Sequence, residues 1–329
     1  MPWRHALGNA VRWDRKHWLR CYGWLLGVLV VASFAMLFRL GDRPIENWDE
    51  GIHGAVSFEM IEDGDWLTPH YAGGTYFRKP PLKLWMSALP FRTFGPNAWT
   101  LRLPSAASGI ATALLVAWWM WKWRRSRLEA FLAGVIVATM RPIFFHAFRT
   151  GEMDGMLTLF VVAALYCWWR ANSCVSQAAN EIPNSKFSAR GGSDARGASV
   201  LRRDASGGQI PNKSQNSKSQ TTKWLAACGA AIGLAVMTKS AAGLHPIPII
   251  VAHAMNTGVW RRFRFKEFLI FHSSFLIIVL PWHLAMTALH GMAFWNDYFG
   301  WHVIKRATEV LHNEPAGVWW WYFPTFARR

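Results

Sequence analysis

Residues 21–38, CYGWLLGVLVVASFAMLF, form an unbroken run of 18 residues without a single charge. A bilayer core about 30 Å thick is crossed by about 20 apolar residues of helix. Inside it every backbone group must be satisfied within the protein, which leaves helix as the form for a single segment. A helix of a water-soluble protein keeps one polar face, and this run has none. Further apolar runs follow at about 103–121, 128–147 and 155–169, then from Trp224, up to about Trp260, and over 267–288. An eighth starts in GVWWWYF at 317–323. The pattern predicts an all-α polytopic membrane protein. The third run is interrupted by Arg141-Pro142, and the apolar stretch before Lys239 is too short to cross alone. Trp118, Trp119, Trp121 and Trp123 sit at a run's end, as an interfacial aromatic belt requires.

The chain of 329 residues has a net charge of +17. Its cations gather in segments 1–20, 122–127, 170–223 and 261–266, between apolar runs. These alternate with segments 39–102, 148–154 and 289–316, where acids offset the cations. That alternation follows the positive-inside rule and puts the N-terminus in the cytoplasm. It also argues against nucleic acid as a partner. The basic start, 1–20, and the run after it lack a small-residue cleavage site and read as a retained anchor. The four cysteines, Cys21, Cys167, Cys174 and Cys228, lack metal-ligand spacing and are expected to stay reduced.

The expected organisation is a basic N-terminus, 1–20; transmembrane helices 1–4 within 21–171, with a large outer loop at 39–102; an insertion at 172–222; and helices 5–7 within 223–329, with an outer loop at 289–316. The insertion is rich in Ser, Gly, Asn, Gln and Lys, too polar to bury a core, and is expected to be a disordered cytoplasmic segment.

Eight of the nineteen acids lie between Asp42 and Asp65, on the expected outer face. From Asp49 to about Glu62 the apolar residues Ile52, Val56 and Met60 recur at helical spacing, which predicts an amphipathic surface helix. Asp49 and Glu50 at its start are either helix-capping acids or catalytic carboxylates. The acids from Glu59 to Asp65 are read as solvating the loop. Next, FRKPPLKLW places Arg78 and Lys79 before a helix opened by Pro80 or Pro81. Cations there oppose the helix dipole, and a bound phosphate would relieve the conflict. RTGEMDGML brings Arg149 and a further acid, Asp154, to the same face. MTKSAAGLHP, with Lys239 followed by Gly243 and Pro246, reads as a broken helix lining a cavity. A last outer segment supplies His302, Lys305, Arg306 and His312. Acids beside cations suit transfer from a phosphate leaving group: the acids serve the acceptor and the cations meet the departing phosphate.

In order, WDEGIHGAVSFEMIEDGDWLTPHYAGGTYFRKPPLKLW, LRLPSAASG, RTGEMDGMLTLF, GLAVMTKS and HNEPAGVWWWYF resemble the GT-C fold glycosyltransferases that use polyprenyl-phosphate sugars. That family includes the aminoarabinose lipid A transferases and the protein O-mannosyltransferases (glycosyltransferase family 39). The resemblance runs from about 45 to 323, interrupted by the insertion. It implies a GT-C-like helix bundle, an undecaprenyl-type phosphate sugar donor and transfer with inversion at the outer face of a bacterial inner membrane. The acceptor it implies is lipid A, a protein or a glycan. By the resemblance, Asp49 and Asp154 are the outer-loop acids, with Glu50 beside the first. Lys79 lies near the donor phosphate, Lys239 is the lysine of a Thr-Lys-Gly signature in which Ser240 replaces the glycine, and Arg306 meets phosphate. Arg78 stands where many members carry a glutamate that in some helps bind metal, so no metal is expected from the motif; a divalent ion stays open. Members continue beyond the eighth span. Two alternatives remain: a shortened, inactive relative that binds polyprenyl lipid, or a lipid or solute transporter.

Overall fold

The computed structural model describes residues 15–46, 48–140, 143–188 and 213–305. The described residues are almost entirely helical. Helix α1 spans Arg15–Leu37, α2 Asp49–Glu62, α3 Leu82–Phe94, α4 Ala98–Arg124 and α5 Arg127–Thr139. Helix α6 spans Asp154–Ser188, α7 Lys213–Lys239, α8 Pro246–Thr257 and α9 Phe265–Trp295. A two-stranded hairpin, β1 His70–Tyr71 and β2 Gly74–Thr75, lies between α2 and α3.

Three described helical stretches are long and apolar enough to cross a membrane: Ala98–Arg124, Ser219–Leu244 and Phe265–His302; Tyr22–Leu37 is a shorter apolar helix. Helices α5 and α8 have 13 and 12 residues, below the about 20 that a crossing needs. The third run therefore does not continue as one helix to 147. Helix α5 stops at Thr139, and Ile143–Phe148 form a wider π-helical turn. Helix α6 extends through Ser188 and α7 begins at Lys213, so helix enters the 172–222 segment from both sides. The eighth run lies outside the described residues.

Local chemistry sets the helix ends. Helix α2 starts with Asp49 and Glu50 in its first turn, where acids complement the dipole. It ends at Glu62, and the chain turns away at Gly64, whose φ of +71° is the left-handed conformation that glycine adopts without cost. Helix α3 follows Pro81 directly, as proline's fixed φ allows. Asn97 and Thr100 form a reciprocal capping box at the start of α4.

Packing proceeds in sequence. Helices α1, α4 and α5 share a core of Val28, Ala32, Met36, Ala106, Ala113, Ala117 and Ala138. Such small side chains let membrane helices approach closely. Helix α4 also packs on α6, α6 on α7, and α7 on α9. Helix α3 bridges α4 and α7, and α2 lies on α3. At one end of α4, Lys122 sits 4.6 and 4.7 Å from the Trp118 and Trp121 ring centres. Cation–π contacts of this kind suit a belt at the membrane–water boundary. Cys167, Cys174 and Cys228 are buried free thiols.

Candidate active site

The segment between α1 and α4 is a built structure. Its anchor is Glu50, 1% exposed, which accepts two bonds from Arg102 at 2.7 and 2.8 Å. It also accepts the amides of Gly151 at 2.6 Å and Glu46 at 2.9 Å. Burial works against its charge, but the Arg102 hydrogen bond and the two amides win and hold the carboxyl below its ordinary range. Arg102 further donates to the carbonyls of Leu40, Arg43 and Pro44. This one buried pair therefore ties α2, α4, the loop after α1 and the turn before α6. Glu50, expected among the catalytic acids, has its lone pairs occupied and is a structural carboxylate.

Arg149 is likewise spent on structure. It donates to the carbonyls of Ala35 at 2.6 Å, Met36 at 3.1 Å and Phe38 at 2.8 Å. These belong to the orphan acceptors at the end of α1, so Arg149 caps that helix. The acids after α2 also have partners. Glu59 accepts the Ala72 amide at the hairpin tip at 2.9 Å, and Asp65 accepts the amides of Leu67 and Thr68 at 2.9 Å. They shape the loop, beyond the solvating role expected of them.

Three other acids, Asp49, Glu152 and Asp154, come together. Asp154, the first residue of α6, bonds Lys239 at 2.6 Å, 85 positions later, each partner about a quarter exposed. Glu152 lies within electrostatic reach of Asp49, Asp154, Lys239 and His146. Burial, reinforced by Asp49 and Asp154, pushes its carboxyl up to about 7. Tyr76, after the hairpin, feels both Asp49 and Glu152, and burial with those charges raises its phenol. Lys83 is fully buried, bonded to Ser87 at 2.7 Å, and lowered to about 8 by burial. His53, one turn after Asp49, is 1% exposed, with the Gly151 backbone beside its ring. Burial and then Lys83, Lys79 and Lys239 lower it to about 3. Four segments thus meet: the start of α2, the hairpin with the start of α3, the turn into α6, and the end of α7.

Backbone geometry positions Lys239. Helix α7 ends on it, a 3-10 turn of Ser240–Leu244 follows, and Pro246 opens α8. This is the expected broken helix. A side chain at Gly243 would meet the Val236 backbone nitrogen at 2.2 Å, so only glycine lets the turn fold back on α7. Ser240 holds φ at +47°, a region costly for residues with a Cβ. Its side chain hydrogen-bonds Tyr298, which ties the turn to the segment after α9.

The other expected residues fall as follows. Asp49 is the first helical residue of α2, after Trp48. Arg78 lies with its guanidinium 5.9 Å from the Tyr76 ring centre. Lys79 is close enough to shift His53. His302 faces Asp297 at 3.5 Å, within its own π-helical turn of Asn296–Lys305. Arg306 and His312 lie outside the described residues. Sequence reasoning had not assigned Glu152, His53, Tyr76 or Lys83. Asp49 and His53 share a helix face at i, i+4 spacing, the one signal available for them. Among the described residues, no group of three His, Cys, Asp or Glu side chains is arranged to hold a metal ion.

An all-α integral membrane protein with acids and lysines gathered between the starts of α2, α3 and α6 and the end of α7 is the class that this architecture defines. The model of the family "Dolichyl-phosphate-mannose-protein mannosyltransferase" matches residues 25–187. An undecaprenyl phosphate-alpha-4-amino-4-deoxy-L-arabinose arabinosyl transferase of Enterobacter sp. (strain 638) is 27% identical over 306 residues, 91% of this chain and 46% of that protein. The enzyme of the same name from Aeromonas salmonicida (strain A449) is 32% identical over 146 residues, 44% of this chain and 26% of its own. The crystal structure of ArnT from Cupriavidus metallidurans bound to undecaprenyl phosphate superposes with a TM-score of 0.67 at 22% identity, over 93% of this chain and 48% of that one. Its apo structure superposes equally. The chain is thus similar to this mannosyltransferase family and to the arabinosyl transferases, and it shares the fold of ArnT. It spans about half the length of these relatives.

Proposed function

We propose that the chain transfers a sugar from an undecaprenyl-type phosphate carrier to a lipid, protein or glycan acceptor, with inversion, at the outer face of a bacterial inner membrane. The observation that carries this reading is the Asp154–Lys239 pair, with Glu152 and Asp49 in its field. One small region supplies groups to take a proton and groups to meet a phosphate. Names of relatives support the donor class, an undecaprenyl-phosphate aminoarabinose.

The chemistry follows from charge. As the acceptor oxygen bonds the anomeric carbon, the carbon–oxygen bond to phosphate breaks and its electron pair leaves with the phosphate. Lys239, held by Asp154, and Lys79 stabilise that developing charge. The acceptor proton passes to Asp49 or Glu152. A base near pKa 7 is matched to neutral operation, and Glu152 meets that condition. Glu50 and Arg102 keep α2 oriented so that Asp49 stays at the site.

The test is transfer in proteoliposomes from a panel of polyprenyl-phosphate sugars, wild type beside Lys239→Met at equal abundance. The reading expects release of polyprenyl phosphate from at least one donor by the wild type, and a loss of about a hundredfold or more in the variant. Release from no donor would sink it and favour the lipid-binding alternative, provided the chain still retains the carrier.

A further inference from the structure

A cleft of about 640 Å³ opens at the outer end of α1, and the acid–lysine cluster contributes nothing to its lining. Four arginines, Arg39, Arg43, Arg102 and Arg149, face it together with two carboxylates, Asp42 and Glu46. Arg39 is paired with Asp42, and Arg102 with Glu50 behind the wall. Arg43 and Arg102 crowd Arg149 as like charges, with Asp42 as the offsetting acid. Positive charge is therefore in excess, and an anion would relieve the repulsion. A guanidinium has five donors, so Arg39 keeps donors to spare beyond Asp42, and planar guanidinium forks suit phosphate oxygens.

Position decides what kind of anion. The cleft begins where the uncharged run 21–38 ends, at the height of lipid headgroups. Phe34 and Phe38 line it, 65% and 55% exposed, with rings stacked at 5.0 Å. The cleft thus has a cationic inner part and an aromatic flank on the membrane-spanning helix. Its volume lies in the range of sites for drug-sized molecules, about 300–1,000 Å³, more than a free phosphate fills.

We propose that this cleft binds the phosphodiester headgroup of an anionic bilayer phospholipid, with Arg39 and Arg43 on the phosphate and acyl chains along Phe34 and Phe38. The site is distinct from the proposed donor site and does not depend on the chain being a transferase. A bound lipid would brace the loop 38–46, whose carbonyls Arg102 already gathers.

The full chain, purified and stripped of lipid, is titrated with phosphatidylglycerol and with phosphatidylcholine, and bound lipid is counted by native mass spectrometry. The comparison is wild type against the double variant Arg39→Gln, Arg43→Gln. Lys122→Gln, at another membrane boundary, controls for loss of charge, and circular dichroism checks the fold. The wild type should prefer phosphatidylglycerol, and the double variant should lose affinity by about tenfold, the scale of one charge-assisted hydrogen bond. Lys122→Gln should keep the preference. Equal binding of the two lipids by the wild type, or an unchanged preference in a folded double variant, overturns the proposal. Displacement of phosphatidylglycerol by millimolar inorganic phosphate overturns the lipid assignment and leaves a free-anion site.

Discussion

Asp49 and Glu50 are neighbours with opposite fates. Glu50 is closed in by a guanidinium and two amides, whereas Asp49 faces a second acid across the site. Removing one partner from a buried ion pair strands the other, at about 3–5 kcal/mol. Glu50→Ala should therefore lower thermal stability by that amount, while Asp49→Asn should shift it by less than about 0.5 kcal/mol. Thermal unfolding in detergent compares them, and equal losses would contradict the division of roles. The sequence marked both acids but not the difference, because Arg102 is 52 positions from Glu50. His53 makes a pH prediction. Its folded pKa, about 3, lies below the ordinary 6.5, so the unfolded chain binds the proton first. Its contribution to stability is whole above pH 6.5 and is lost as pH falls toward 3, at up to about 1.4 kcal/mol per pH unit. Glu152 acts oppositely: raised to about 7, it contributes below pH 4.5 and loses that contribution as pH rises through 7. The difference between wild type and His53→Phe isolates the histidine; equal pH dependence would refute its neutral burial. If Glu152 is the base, transfer should rise through about pH 7, and Glu152→Gln should abolish that inflection.

Among the elements, α2 and the start of α3 were legible because their signals are local: first-turn acids, apolar spacing and a double proline. The hairpin was missed. Its turn residues Ala72 and Gly73 both have positive φ, at 52° and 78°, a geometry that usually draws Asn-Gly or Asp-Gly. An alanine hides that signal, and the Glu59 carboxylate on the Ala72 amide is a tertiary contact. The broken helix at Lys239 was legible from Lys, Gly and Pro in sequence. What could not be read is that Gly243 touches the Val236 backbone. Gly243→Ala should destabilise by about 1–3 kcal/mol through overpacking and reduce transfer more than a distant variant of equal stability, because it displaces Lys239 from Asp154. Unfolding and transfer measured together test this; full activity at the lower stability would mean that the turn does not position the lysine.

For the whole molecule, the sequence disclosed the membrane class and the gathering of acids after the first apolar run. Helices α5 and α8 are each shorter than the third and sixth apolar runs suggested. The sequence also read as loop the helical flanks of 172–222. Periodicity does not show how far a polar helix extends. The proposed orientation puts α2 outside and the 122–127 turn inside. Asp63→Cys, exposed beyond α2, should react with an impermeant maleimide in intact cells, and Arg125→Cys only after permeabilisation; the reverse would invert the topology. The central claim is that acids from distant segments form one catalytic site with Lys239. Its most direct test is the rate of labelled sugar transfer in membranes by wild type and Asp49→Asn at equal abundance. The account predicts that the wild type transfers and that the variant, charge removed and size kept, loses most of the rate with its stability intact. Equal rates in the two would contradict it.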